Sequence, residues 1–339
     1  MRTHTHLRML LMLAFAGLLT GCAQQHLVKG DRAYERMAWV DAACQYEKAM
    51  QHMDDRAVAL RMAEAYRQQN NLNKAADWYA YADRVEALTA GDALNFGRAL
   101  QSVGRIGEAA KLYERVLVDK PEDAVVRELG LAIADHDAFF VDTTLFTVAP
   151  VQLGGLVSAF GAVPMGKAIV FAAEEAPHGQ NTNPWTGASY LDLYTASPGA
   201  NGTWSAPVPL AGEVNARFHD GPAVISADGH TMYFTRSDYY KFRLNKDDNS
   251  VSHLMLFSAD KQADGSWGNV KSFAYNGIDF SAGHAALSVD GTKLYYISDM
   301  PGGFGGTDVY GANARWKAGA TRGTQALRST PAPTRCSPP

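Results

Sequence analysis

Two internal repeats of different period divide this chain of 339 residues and decide what it can fold into. From residue 27 to about 136 the sequence matches itself at a spacing of 34. Ala63, Tyr66, Asn70, Ala75, Tyr79 and Ala82 recur as Gly97, Leu100, Gly104, Ala109, Tyr113 and Val116. Gly30, Ala33, Ala42, Tyr46 and Ala49 make an earlier copy with a one-residue slip. From residue 137 to about 312 the spacing is 62 to 63. Ala168-Ile169-Val170-Phe171 returns as Thr231-Met232-Tyr233-Phe234 and as Lys293-Leu294-Tyr295-Tyr296. Leu191-Asp192-Leu193-Tyr194 returns as Leu254-Met255-Leu256-Phe257 and Thr307-Asp308-Val309-Tyr310. The first repeat carries small and aromatic residues at helical spacing, the pattern of stacked helix pairs. The second carries β-branched and aromatic runs broken by Gly, Pro, Asn and Asp, the pattern of short strands. The predicted fold class is multidomain, α then β.

In the helical segment, placed at 22–136, the small residues Gly97 and Ala109 let paired helices approach closely. Tyr79 and Tyr113 fill the space between pairs, and Gly104 permits the turn within a pair. Pro121 stands where a repeat boundary wants a helix stop. Residues 122–136, with Val125, Val126, Leu129 and Ile133 at helical spacing, read as a closing cap. Cys44 reads as a small buried thiol on a repeat helix. The period and these positions resemble the tetratricopeptide repeat, an α-solenoid. The resemblance implies a concave surface that holds a peptide or another protein; every residue named is core or turn, and none is a ligand.

In the second segment, placed at 137–312, Asp228-Gly229 and Asp290-Gly291 precede an aromatic strand, as hairpin turns do. Each unit reads as turn, aromatic strand, loop, a second strand ending in an aromatic, loop and Trp, with Trp204 and Trp267 in the first two units. Residues 219–238 and 284–299 share Ser-x-Asp-Gly-x-x-x-Tyr-(Phe/Tyr) and resemble the PD40, or WD40-like, β-propeller repeat, also found in TolB-like proteins. About three units are present, fewer than the four to eight blades of a closed propeller. His219 and His284 are placed at similar blade positions and assigned hydrogen bonds within the blade. The loop from Gly302 to Gly306 lacks the Lys-Ser/Thr of a phosphate-binding loop and reads as a tight connection at positive φ. Asp247-Asp248-Asn249 reads as a solvated turn.

The first 22 residues form an address. Arg2 and Arg8 precede an apolar run from Met9 to Leu19, and Leu19-Thr20-Gly21-Cys22 follows. The layout is a signal peptide over 1–21, too short to stay as a membrane span. Its end matches the bacterial lipobox, which makes Cys22 the lipidation site. Ala23-Gln24 carries no acidic inner-membrane retention signal, so the expected location is the outer membrane, facing the periplasm. The net charge of −4 makes no case for nucleic acid as a partner. Three cysteines make neither a disulfide framework nor a zinc site. No Gly-x-Ser-x-Gly elbow occurs; no enzyme activity, cofactor or metal is expected.

The order of lipobox, helical repeats and propeller units, with Trp185-Thr186-Gly187, His219-Asp220-Gly221 and the run from Ser298 to Tyr310, is similar to the OmpA-family envelope lipoproteins of Bacteroidetes. Some of these serve type IX secretion. The resemblance implies an envelope or secretion-system protein held by the helical repeats, and a membrane held through the lipid. The OmpA-like domain that would bind peptidoglycan does not follow in this sequence. Residues 313–339 read as a disordered basic tail, either out of frame or a natural basic tail: Arg315, Lys317, Arg322, Arg328 and Arg335 come with no acid, and Ala320 stands where the unit predicts an aromatic. The expected function is a non-catalytic interaction scaffold of the cell envelope. The alternative is a propeller that binds a ligand or glycan for an uptake system.

Overall fold

Alanine and tyrosine at fixed spacing build the helical unit. The computed structural model describes residues 22–135, 149–177, 182–304, 306–314 and 325–327. The signal peptide, the segment 136–148 and most of the basic tail lie outside the described residues. The described chain divides into two units, one holding the N-terminal helices together with Asn183–Gly187, the other holding the sheets.

Seven helices occur among the described residues of the first unit: α1 (22–35), α2 (Trp39–Met50), α3 (Arg56–Gln68), α4 (Leu72–Val85), α5 (Ala90–Ser102), α6 (Ile106–Asp119) and α7 (Ala124–Ala134). From α2 to α7 each helix packs on its neighbour in sequence, as a tetratricopeptide-like solenoid does. Asp55, Asn71, Thr89 and Asp123 start α3, α4, α5 and α7 by accepting hydrogen bonds from first-turn N–H groups. Met37, Asn70 and Gly104 make the turns within the pairs at left-handed φ of 57°, 57° and 80°. The repeated residues form one continuous core that includes Ala42, Tyr46, Ala63, Ala75, Tyr79, Ala109 and Tyr113. At Gly97 a Cβ would enter the Tyr113 ring, and at Gly30 it would come 2.6 Å from the Tyr46 ring. Glycine inside a helix is otherwise unfavourable by about 1 kcal/mol; here it is the seat of the tyrosine of the next helix.

Two expectations for this unit need correction. Cys44 is exposed, because the buried stripe of α2 runs through Trp39, Ala42, Ala43, Tyr46 and Ala49 and turns position 44 outward. In α7 only Val126 is fully buried, with Leu129 and Ile133 packed against the core. Val125 and Leu131 face solvent, so the closing helix carries a narrower apolar stripe than its composition suggests. Trp185, read as a propeller marker, belongs to the helical unit. Its indole Nε1–H donates to the Gln68 carbonyl at 2.8 Å, and its ring meets Trp39 edge-on at 5.7 Å.

The second unit holds three four-stranded antiparallel sheets. The first runs β1 (Leu156–Met165), β2 (Ala168–Glu175), β3 (Asp192–Ala196) and β4 (Val208–Pro209). The second runs β5 (Asp220–Ile225), β6 (Thr231–Ser237), β9 (Leu254–Lys261) and β10 (Trp267–Ser272), with a separate hairpin of β7 (Tyr239–Tyr240) and β8 (Arg243–Leu244) between β6 and β9. The third runs β11 (Ala282–Leu287), β12 (Lys293–Ser298), β13 (Asp308–Asn313) and β14 (Gln325–Leu327). Each is a meander of neighbours in chain order, the build of a propeller blade, and the region is a partial β-propeller-like one.

The repeated aromatics are cross-strand partners. Phe171 stands opposite Tyr194, Phe234 opposite Phe257, and Tyr296 opposite Tyr310. Their rings stack at 6.2, 5.9 and 5.8 Å. Alternation along the strands then sends neighbouring residues to the other face. Val170 and Leu193 of the first sheet share a core with Phe234 and Phe257 of the second, and Tyr233 and Leu256 of the second share a core with Tyr296 and Tyr310 of the third. The second strand of each pair continues beyond its aromatic, which sits mid-strand instead of ending it.

The Ser-x-Asp-Gly box is a closed hydrogen-bond unit. Asp228 accepts from the Ser226 hydroxyl and the His230 N–H, and the Ser226 hydroxyl oxygen accepts from the Thr231 N–H. Ser288, Asp290, Thr292 and Lys293 repeat the pattern. These bonds hold the Asp290 carboxyl down, at about 2. Gly302 and Gly306 adopt positive φ, as the connection to β13 requires. In the tail read as disordered, residues 325–327 pair with β13. Main-chain bonding to a sheet edge needs no side-chain pattern, which is why composition could not announce it.

Candidate functional site

Each unit presents one surface with chemistry to offer. In the helical unit the tyrosine at the core of each second helix donates its hydroxyl to an acceptor on the helix before it. Tyr46 bonds Asp31 at 2.9 Å, Tyr79 bonds Glu64 at 3.4 Å, and Tyr113 bonds Gln101 at 2.8 Å. These bonds place Asp31 of α1 and Glu64 of α3 at equivalent points of successive repeats, and the sequence period puts Arg98 of α5 at the third. Asp31 pairs with Arg61, joining α1 to α3, and Glu64 pairs with Arg67 at 2.6 Å. Their bonds to arginine, Gln68 and tyrosine hold the Glu64 carboxyl below its usual range, against the opposing effect of burial. Arg98 is exposed and takes part in none of the ion pairs among the described residues. The core positions are thus near copies from repeat to repeat, whereas this row reads acid, acid, cation.

In the sheet unit the connection leading into each new sheet clamps the third strand of the sheet before it. Asn215 accepts from the Leu193 N–H at 2.7 Å and donates to the Leu193 carbonyl at 3.0 Å. Asn276 does the same to Leu256, at 3.0 and 2.8 Å. A few residues on, His219 Nδ1 accepts from the Leu191 N–H at 3.1 Å, and the Ser281 hydroxyl accepts from the Leu254 N–H at 3.2 Å. His219 and Ser281 are therefore counterparts. His284 lies inside β11 at φ 51°, where its N–H donates to Thr235 Oγ1 at 2.9 Å. The two histidines are not equivalent, because β11 carries no histidine at the clamp position. Burial pushes the His219 imidazole down, to about 4. Protonated Nδ1 would point a second N–H at the Leu191 donor, so the neutral ring is the one that fits.

Beside this clamp lies a buried ion pair. Arg236 of β6 is 5% exposed and Asp220 of β5 is fully buried. The Arg236 Nε–H donates to Asp220, its Nη2–H donates to the Glu213 carbonyl at 2.8 Å, and its guanidinium lies 5.0 Å over Phe234 and 5.4 Å over Phe257. Burial pushes the Asp220 carboxyl up to about 7, against the pull of Arg236 and the Ala216 N–H. Burial and the neighbouring Glu175 push Asp192 up to about 6. Arg236 also lines a cavity of about 600 Å³ whose wall includes Glu213, Arg217, Tyr239, Tyr240, Lys241 and Phe242. A second cavity, of about 850 Å³, lies among hairpin turns such as Gly166, Asp228-Gly229 and Gly265; its turn residues already spend their polar groups on one another.

Cys22, the lipidation residue read from the sequence, is exposed at the first described position of α1. Asp247 accepts from the Asn249 and Val251 N–H groups at 2.9 and 2.8 Å and closes its own turn. Among the described residues no group of three or more His, Cys, Asp and Glu side chains is placed to hold a metal ion. No described helix is long and apolar enough to cross a membrane. Sequence reasoning missed the cavity and its aromatic hairpin. The signal was the aromatic and basic run Tyr239-Tyr240-Lys241-Phe242-Arg243 in a connection as long as that of the first unit but of different composition.

No family model matches the chain. No curated protein matches it either. Among solved structures the chain is similar to the Arabidopsis OM64 TPR domain, at 20% identity and a TM-score of 0.30 over 35% of this chain and 98% of that one. It is similar to the first TPR of Spaghetti (RPAP3) bound to HSP90 peptide SRMEEVD, at 21% identity and a TM-score of 0.31 over 35% of this chain and 95% of that one. Yeast Tom70 matches at 18% identity and a TM-score of 0.31, over 35% of this chain and 24% of that one. The likeness is one of fold.

Proposed function

We propose that this chain is a non-catalytic scaffold lipoprotein of the cell envelope, held to the outer membrane through Cys22 and binding a protein partner with its helical repeats. The observation that carries the binding role is the contrast within the repeats themselves. Tyr46, Tyr79 and Tyr113 do one packing job at three places, while Asp31, Glu64 and Arg98 differ at the equivalent surface position. In two repeats the position holds an acid that accepts a core tyrosine hydroxyl, whereas in the third it holds the exposed cation Arg98, a change of sign that suits recognition.

The anchor follows from the lipobox at Leu19-Thr20-Gly21-Cys22. Acyl chains contribute about 0.8 kcal/mol per buried CH₂, so several chains on one thiol and its new N-terminus hold a soluble protein on a bilayer. Cys22 already lies in helix α1, and Ala23 is buried. An acylated Cys22 would therefore carry the first repeat with no linker between lipid and helix. The resemblance to OmpA-family lipoproteins supports a periplasm-facing position and a secretion or envelope-organising partner.

The anchor is tested by phase partitioning of the chain expressed in a bacterial host that processes lipoproteins. The wild type is expected in the detergent phase with a palmitate label, and Cys22→Ser in the aqueous phase without one. An unlabelled wild type that partitions like Cys22→Ser contradicts the proposal.

A further inference from the structure

We infer that the cavity beside Arg236 is a binding site for a carboxylate-bearing saccharide, a uronic acid unit or chain, gripped by the hairpin of β7 and β8. The site lies in the sheet unit and stands apart from the recognition row of the helices. The cavity, about 600 Å³, is the size of a small-ligand site. Its exposed charged walls are Arg217 and Lys241 against the single acid Glu213, and buried Arg236 is a further lining residue.

Among the described residues the hairpin is found in the second sheet alone. At its tip Lys241 and Phe242 take left-handed φ of 51° and 64°, a conformation that side-chain-bearing residues rarely adopt. Phe242 is 94% exposed. A large apolar ring held outward on a strained turn does nothing for the core. The Lys241 ammonium lies 5.4 Å over the Tyr240 ring, which holds a cation next to the exposed Phe242 at the tip. Behind them the half-buried rings of Tyr190, Phe218 and Tyr239 form an edge-to-face ladder, with centroids at 5.1 and 5.3 Å, which fixes the wall in place.

The mixture selects the ligand class. The exposed Phe242 ring suits the C–H face of a pyranose, whose own hydroxyls stay in water. The exposed Lys241 ammonium, on the same hairpin tip, suits a carboxylate. Phosphate is the poorer fit, because neither a helix N-terminus nor a glycine lines the cavity to cradle its oxygens with backbone N–H groups. A neutral sugar would use the rings and leave the cations idle, and an acidic peptide would do the reverse.

Calorimetry on the full chain at low salt separates these, with trigalacturonic acid, galactotriose, a Glu-Glu-Glu peptide and inorganic phosphate as probes. Saturable binding of trigalacturonic acid is expected, at least tenfold tighter than any other probe. Phe242→Ala is expected to weaken it tenfold or more and Lys241→Gln about fivefold; both positions are exposed, so the fold is retained. Absence of binding overturns the inference. So does an equal affinity for galactotriose, the peptide or phosphate, or binding that Phe242→Ala leaves unchanged.

Discussion

Arg236→Met is expected to destabilise the sheet unit, by about 3–5 kcal/mol where the pH is high enough to keep Asp220 ionised, the cost of stranding one partner of a buried ion pair. The substitution keeps most of the volume but leaves Asp220, fully buried, without its cation and leaves the Glu213 carbonyl without a donor. It also removes the charge that lies over Phe234 and Phe257. The loss has a pH signature. Burial raises the folded-state value of Asp220 to about 7 even with Arg236 present, whereas an unfolded aspartate titrates near about 3.9. Between those values the folded state binds the extra proton. Stability from this group is full below the unfolded value and is lost as pH rises through the folded one. Removing Arg236 takes away the opposing pull, so the loss continues to higher pH. The deficit of Arg236→Met is therefore smallest near pH 5 and grows toward pH 8. The double change Arg236→Met with Asp220→Leu is expected to recover much of it, because a matched apolar pair needs no partner. Hydrogen exchange of the β5 and β6 amides, compared at both pH values, checks the result locally.

Gly212→Ala is expected to remove at least about 3 kcal/mol, from two independent causes. Gly212 sits at φ 109°, outside the left-handed helical well that a side chain can tolerate. A Cβ there would overlap the Trp267 carbonyl oxygen and crowd its nitrogen. Neither can retreat. The Trp267 N–H donates to the Ala211 carbonyl at 2.9 Å, the Trp267 carbonyl accepts from Glu213 at 2.7 Å, and the indole is buried in the core shared by the first two sheets. Gly166→Ala is the matched control. It has φ 61° and nothing within 4 Å of its would-be Cβ, so a loss of about 1 kcal/mol is expected. Chemical denaturation followed through tryptophan fluorescence reads both.

The period of each repeat carried most of the fold. Tyr79 and Tyr113 recur because each fills a slot opposite Ala63 or Gly97, and the slot recurs with the helix pair. Phe171, Phe234 and Tyr296 recur because each meets an aromatic directly across the strand. What stayed hidden lacks a period. The opening strands β1, β5 and β11 each contain a register shift, which breaks the two-residue alternation by which strands are recognised. The clamps by Asn215 and Asn276 act through the backbone of a strand from the previous sheet, so nothing near them in sequence announces the partner. Cys44 and Val125 failed for the opposite reason: an apolar residue within a helix says nothing of its side until the stripe is traced. The Tyr239–Leu244 hairpin keeps the length of the repeat and differs in composition alone, so the period said nothing of the cavity that forms there.

The central claim, a tethered scaffold that recognises a protein through the variable row of its helices, is most directly tested by photo-crosslinking in the native cell. A photoreactive amino acid replaces Arg98 on α5 or, as control, exposed Lys111 on α6. The account predicts one discrete protein adduct from position 98, none from position 111, and loss of the adduct when Cys22→Ser frees the chain from the membrane. Equal adducts from both positions, or none from position 98 while the chain is acylated and folded, would contradict it.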